Sequence, residues 1–244
     1  MSGAPRAATD QAALGHAPLS RAAFLRRPSS LVAPSSRRHC GARLAWLHAR
    51  SRRVVAALIG LLACGVVLSL GLNFHWFSAA DAAVEVPMLL EAGAAAIIVV
   101  TTHSPFGEPE QATGRWLPVL RLGVALALCG VAIGLMAAGA AIGYDPKSGV
   151  GLSDGMLPVA RNILGFTGVG LLLSLVTGGL AAWIGPLAYQ AVCQFALIAH
   201  YTEPYTWASR PPADRGGWIA ALVVFAIGLA AFTIRGPRTR PSGE

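Results

Sequence analysis

Charge is scarce in this chain. Only 12% of its 244 residues are Asp, Glu, Lys or Arg, against 55% apolar residues and a mean hydropathy of +0.58. Soluble domains carry roughly 25% charged residues, so a water-facing globule is excluded and a lipid bilayer becomes the expected solvent. Cysteine is scarce as well. Cys40, Cys64, Cys129 and Cys193 form no CxxC and three of them lie inside apolar runs, which argues against a disulfide framework or zinc site and leaves small core residues. No GxxxxGK[ST] occurs, so the chain does not cradle nucleotide phosphates as a P-loop does. Any ATP used must be held by another chain.

Catalytic patterns are equally thin. His16, His39, His48, His75, His103 and His200 are scattered, with no HExxH and no pair that could ligate a metal with a carboxylate. One GxSxG is present, Gly151 to Gly155. No strand-helix alternation surrounds it, and a turn built from Gly and Asp explains it. An intramembrane serine protease of the rhomboid kind needs a histidine within reach of its serine, yet the last apolar run, 217–234, contains none. A non-catalytic chain without metal or cofactor is therefore expected.

What the chain has in abundance is apolar length. Six runs are expected as transmembrane helices at 54–72, 84–102, 121–143, 160–177, 180–199 and 217–234, each near the roughly 20 residues needed to cross the hydrocarbon. The expected fold is thus an all-α, six-span membrane domain over 54–236, with a disordered basic tail over 1–40 and a short tail over 237–244. Residues 41–53, with Leu44, Trp46 and Leu47 among Arg43, Arg50, Arg52 and Arg53, are expected to form either an interfacial helix or an extension of the first span. Spans four and five are joined by Thr177-Gly178-Gly179, a turn whose glycines permit unusual backbone angles.

The positive charge is lopsided. Residues 1–53 hold ten Arg and one acid, Asp10. Next to an apolar run, such a cluster indicates a cytoplasmic flank facing anionic lipid rather than nucleic acid. Placing both termini in the cytoplasm puts Arg43, Arg50, Arg52, Arg53, Arg115, Arg121, Arg235, Arg238 and Arg240 inside, and Lys147, Arg161, Arg210 and Arg215 outside. The excess favours this orientation. Multi-pass residence in a membrane follows as the expectation.

Charge in hydrocarbon is costly and usually partnered, so the intramembrane polar groups are the functional candidates. Glu85 and Arg161 open their spans from the same side and are expected to pair. Glu91 lies about two turns deeper. Gln190 and Gln194 share one face of span five at i, i+4. Lining a substrate path and bonding neighbouring helices are both open roles for these residues, while Arg161-Asn162 can also cap and anchor a helix start. Gly130/Gly134 and Gly139/Gly143 give two GxxxG spacings that would admit a close helix neighbour.

The polar stretch HSPFGEPEQATGR between spans two and three carries its own signal. Pro109 suits a first helical position, Glu110 and Gln111 a first turn, and Gly114 a helix end. With HSPFGEPEQATGRWLPVLRL, ARNILGFTGVGLLL and LAAWIGPLAY, the chain resembles the six-span permeases of ABC-2 type exporters, in the form found in high-GC Gram-positive bacteria. That resemblance implies a permease subunit acting as a dimer, with a second copy or a related permease, alongside two cytoplasmic ATPase subunits that hold ATP and Mg. Glu108, Pro109, Glu110, Gln111 and Arg115 would then form the coupling element. It also implies a re-entrant character for the outer stretch before span six, where Tyr201, Tyr205 and Trp207 suit an interfacial position. The alternatives are a non-transporting membrane scaffold and an ion-coupled transporter using Glu85 or Glu91. A cysteine placed at Glu110 is expected to react with an impermeant thiol reagent from the cytoplasmic side only; labelling of intact cells against inside-out vesicles checks this, and labelling of intact cells alone reverses the orientation.

Overall fold

A computed structural model describes residues 53–74, 80–101, 117–142, 156–178, 180–199, 203–211 and 213–235. Six α-helices and one 3-10 segment account for them, with no strand among the described residues. The helices are α1 (Val54–Asn73), α2 (Ala80–Val100), α3 (Leu117–Ile142), α4 (Met156–Thr177), α5 (Ile184–Ile198) and α6 (Arg215–Arg235); the 3-10 segment is Pro204–Ser209. Four of them, α1, α3, α4 and α6, are long and apolar enough to cross a membrane. The chain is therefore a multi-pass membrane protein by helix length and composition. The coupling residues Glu108, Pro109, Glu110, Gln111 and Arg115, all six His, Cys40 and the GxSxG lie outside the described residues.

Helix boundaries follow local chemistry. Pro118, Pro158 and Pro186 sit in the first turns of α3, α4 and α5, where a missing backbone N–H costs nothing because those groups have no intrahelical partner. α4 ends at Gly178, which has φ 88° and donates its N–H to the Ser174 carbonyl at 3.1 Å; glycine takes this left-handed closing position without a Cβ clash. α5 starts four residues later than the apolar pattern suggests. Leu180–Trp183 is spent on a tight turn, with Ile184 and Gly185 donating to the Ala181 and Ala182 carbonyls. Arg53, the residue before α1, has φ 55°; the basic tail over 1–40 and residues 41–52, expected as an interfacial helix or an extension of the first span, lie outside the described residues.

Contacts define helix directions. Gly168 of α4 lies against the backbone of Val224 and Phe225 of α6, and Gly217 lies beside Arg161, so α4 and α6 run parallel. Asn162 meets Glu91 and Gly170 meets Val99, so α2 is parallel to α4. Gly170 meets Pro186, whereas Phe166 meets Tyr189, so α5 runs antiparallel to them. A chain that crosses a bilayer repeatedly must alternate in this way.

α2 and α4 occupy the centre. The core-facing residues of α2 include Met88, Ala92, Ala94, Ala95, Ala96, Ile98 and Val99, and those of α4 include Val159, Ile163, Phe166 and Leu171. By contrast α1 turns Val55, Ile59, Leu62 and Val66 outward, and α6 turns out Ile219, Leu222, Val223 and Ile227. Such outward faces suit lipid, because water offers them no partner and acyl chains do.

Glycines set two of the closest approaches. A Cβ on Gly228 would stand 2.6 Å from the Gly168 carbonyl oxygen, and one on Gly168 would stand 2.6 Å from Phe225 Cα. Likewise Gly139 of α3 abuts the Gly65 backbone of α1. Gly130 and Gly134, the other GxxxG spacing, have open space where a Cβ would be. Gly168→Val and Gly228→Val are each expected to destabilise the fold by about 1–3 kcal/mol through overpacking, while Gly134→Val leaves it unchanged. Unfolding titrations of the purified protein in mixed micelles measure the difference.

Candidate functional site

Two charged residues, Glu91 and Arg161, are buried at 3% and 1% exposure between the central helices. In hydrocarbon such groups persist only when their hydrogen-bonding capacity is matched. Asn162 supplies the match for Glu91, donating from Nδ2 to Oε2 at 2.8 Å. Its amide oxygen in turn accepts from Arg161 Nε at 3.3 Å. A carboxylate, an amide and a guanidinium thus form one chain across the α2–α4 interface, each bond polarising the next.

The rest of the guanidinium faces the segment before α6. Arg161 Nη1 donates to the Pro211 carbonyl and Nη2 to the Arg210 carbonyl, both at 2.9 Å. These are charge-assisted bonds from a rigid planar fork, and they tie the early turns of α4 to residues 49 and 50 positions away in sequence. Asp214 completes the anchor. Its carboxylate accepts from the Gly217 N–H, the arrangement of a helix N-cap, and pairs with Arg210 at 3.1 Å.

Held in this way, the segment before α6 folds inward. Thr206, Trp207 and Ala208 are buried, with Trp207 at 2% exposure. The Trp207 ring lies on Gly165 of α4, where a Cβ would collide at 2.5 Å, and stacks on Tyr189 of α5 with ring centroids 4.5 Å apart. Tyr189 also meets Phe166 edge-on at 6.1 Å. The aromatic trio closes one end of the α4–α5 junction. Trp207 is therefore a bundle residue and not the interfacial anchor its loop position suggested; Tyr205, 61% exposed, keeps that outward location.

The expected Glu85–Arg161 pair does not form. Arg161 points to the segment before α6 and to Asn162, and the Glu85 contribution is its backbone carbonyl, which accepts from Gln194 Nε2 at 3.5 Å. The physical reason is register: Asn162 lies beside Glu91 and Gly170 beside Val99, which sets Arg161 level with residue 90 and leaves Glu85 more than a helical turn short of it along α2. Gln190 and Gln194 do share a face of α5, and Gln194 reaches α2. Gln190 is 2% exposed and neither its Oε1 nor its Nε2 has a hydrogen-bond partner; the same holds for Gln194 Oε1.

Sequence reasoning found Glu91, Arg161, Asn162, Gln190 and Gln194, and missed Trp207, Asp214 and the Arg210 and Pro211 carbonyls. The signal available for Asp214 was an acid shortly before an apolar run, in Asp214-Arg215-Gly216-Gly217-Trp218. None of the titratable residues forms a cluster of three or more suited to a metal ion among the described residues. No protein family, curated protein or solved structure matches the chain.

Removing the central amide tests the chain of bonds. Asn162→Ala is expected to cost about 1–3 kcal/mol, because it strands the Glu91 carboxylate. Adding Glu91→Gln should recover part of the loss, since a neutral amide is cheaper to leave unmatched. Unfolding titrations of the single and double variants measure both effects.

Proposed function

We propose that the chain is a six-span permease subunit of an ATP-driven exporter of the ABC-2 type, resident in a bacterial plasma membrane with both termini in the cytoplasm. α2 and α5 would cross the bilayer with the four longer apolar helices. The opposite directions of α4 and α5, and the shared direction of α2, α4 and α6, support this alternation. So does the excess of Arg on the side assigned to the cytoplasm.

The observation that carries a transport role is the polar chain Glu91–Asn162–Arg161 at the centre of the bundle, continued by the unmatched Gln190. Membrane interiors tolerate such groups where a polar cargo passes or a conformational change repartners them. Arg161 joins that centre to the inward-folded outer segment, so movement of α4 relative to α2 changes how the segment is held. In this reading the cytoplasmic loop with Glu108, Pro109, Glu110, Gln111 and Arg115 docks on a separate ATPase subunit. Nucleotide-driven closure would then rock the helices as rigid bodies. ATP and Mg belong to that partner, a second permease copy or a related permease completes the pore, and the basic flank meets anionic lipid.

One observation favours a second reading, a non-transporting scaffold. Every hydrogen bond described for Arg161 ends inside the fold, as a purely structural anchor requires. The buried Glu91 also suits a lesser alternative, an ion-coupled transporter. A mild-detergent pull-down of the tagged chain from its host, with mass spectrometry of bound proteins, separates the first two. A near-stoichiometric ATPase, lost or weakened in a Glu108→Ala/Glu110→Ala variant, is the expected result; no ATPase in either preparation supports the scaffold.

A further inference from the structure

We infer that the α2–α4–α5 junction contains a subsite centred on Gln190 for a neutral group that both donates and accepts hydrogen bonds, an amide or a hydroxyl. We further infer that the Arg161-held outer segment is its gate. The inference deepens the transport reading above and rests on it for the identity of any cargo, though not for the existence of the subsite.

Three contacts place Gln190. Val99, Gly170 and Pro186 meet in one layer of α2, α4 and α5. One helical turn along, moving back on α2 and α4 and forward on α5, the layer holds Ala95, Phe166 and Gln190. The following turn brings Glu91 and Asn162, while Gln194 reaches on to the Glu85 carbonyl of α2. The buried amide therefore sits one turn from the Glu91–Asn162 bond, with the fully buried Ala92 and Ala95 at neighbouring levels of α2. Gln194, at i+4, extends the same face with an unmatched Oε1.

The chemistry of the occupant follows from which atoms are unmatched. Gln190 offers an acceptor and a donor together, each expensive to bury without a partner. A cation satisfies Oε1 and is repelled by Nε2; an anion does the reverse. A neutral amide or hydroxyl satisfies both atoms at once. Water has the same chemistry, and the two sources are separated below.

Access runs past the outer segment. Trp207 lies over Gly165 and against Tyr189, the residue next to Gln190 in α5, and its indole Nε1 is itself buried without a partner. What holds Trp207 there is the Arg161 grip on the Arg210 and Pro211 carbonyls. Because Arg161 also bonds Asn162, an occupant that draws Asn162 or Glu91 toward Gln190 weakens that grip. The gate and the subsite share one amide.

The full chain in lipid nanodiscs, with Gln190 kept, is treated with the small hydrophilic thiol reagent aminoethyl methanethiosulfonate, and modification is read at each cysteine by mass spectrometry. The reporter is the native, fully buried Cys193, on the next turn of α5 from Gln190. Val192→Cys, on the outward face of α5 at 49% exposure, is the lipid-facing control. Cys193 should react faster than the control, and loosening the gate with Arg161→Ala or, separately, Trp207→Leu should accelerate it by about tenfold or more. Acetamide should slow the reaction, and Gln190→Leu should remove that protection, whereas acetate and tetramethylammonium should not slow it. Acetamide protection lost in Gln190→Leu assigns the subsite to an amide-bearing cargo; reaction without protection by any of the three assigns it to water, and either keeps the neutral subsite. Protection by acetate or tetramethylammonium, or acetamide protection that survives Gln190→Leu, instead overturns the neutral chemistry at Gln190. A rate at Cys193 no faster than the control, in the parent and both gate variants, overturns the subsite. No ATPase is needed for this readout, so failure of the permease reading leaves its outcome intact.

Discussion

A guanidinium that cannot reach water has to find its acceptors inside the protein, and Arg161 finds three of them on two different elements. Much of the described architecture follows from that requirement. Two backbone carbonyls must be delivered to the early turns of α4, so the segment before α6 has to bend back into the bundle. Asp214 then caps α6 and holds Arg210, whose own carbonyl is one of the two acceptors. Gly217 stays small because a Cβ there would stand 3.4 Å from Arg161 Nη1 and 3.1 Å from the Asp214 carboxylate. Gly165 stays small because the delivered segment brings Trp207 with it.

On the other side of Arg161 the same demand reaches α2 through Asn162. A carboxylate on the neighbouring helix balances the guanidinium charge, with an amide between them instead of direct ionic contact. The glycine contacts between α4 and α6 pack those two helices backbone to backbone, and Gly170 brings α4 just as close to the Val99 side chain of α2.

Most of the helical layout was legible in the sequence, because length and apolarity are one-dimensional signals. The six apolar runs coincide with α1 to α6, with starts displaced by at most four residues. The displacements have local causes, as in the turn at Leu180–Trp183 that delays α5. The candidate site was legible in membership and not in pairing. Depth along a helix can be counted, so Glu91, Arg161, Asn162, Gln190 and Gln194 were recognisable as intramembrane polar groups. Which of them face one another depends on how neighbouring helices are rotated and shifted along their axes; Glu85 falls more than a turn short of Arg161, which binds instead two carbonyls that carry no sequence signature. Trp207 was misread for a related reason: an aromatic in a loop looks interfacial until Arg161 pulls that loop inward. The spacing rule for close approach likewise overcounts, since Gly139 meets α1 and Gly130 and Gly134 meet nothing.

The central claim is that Glu91 and Arg161 act as one unit through Asn162, and a double-mutant cycle tests it most directly. Unfolding free energies would be measured for Glu91→Ala, Arg161→Ala and the pair in the same micelles, with circular dichroism confirming that each variant remains helical. A linked unit predicts a coupling energy of about 1 kcal/mol or more between residues on different helices. Additive effects, with a coupling indistinguishable from zero, would contradict the account.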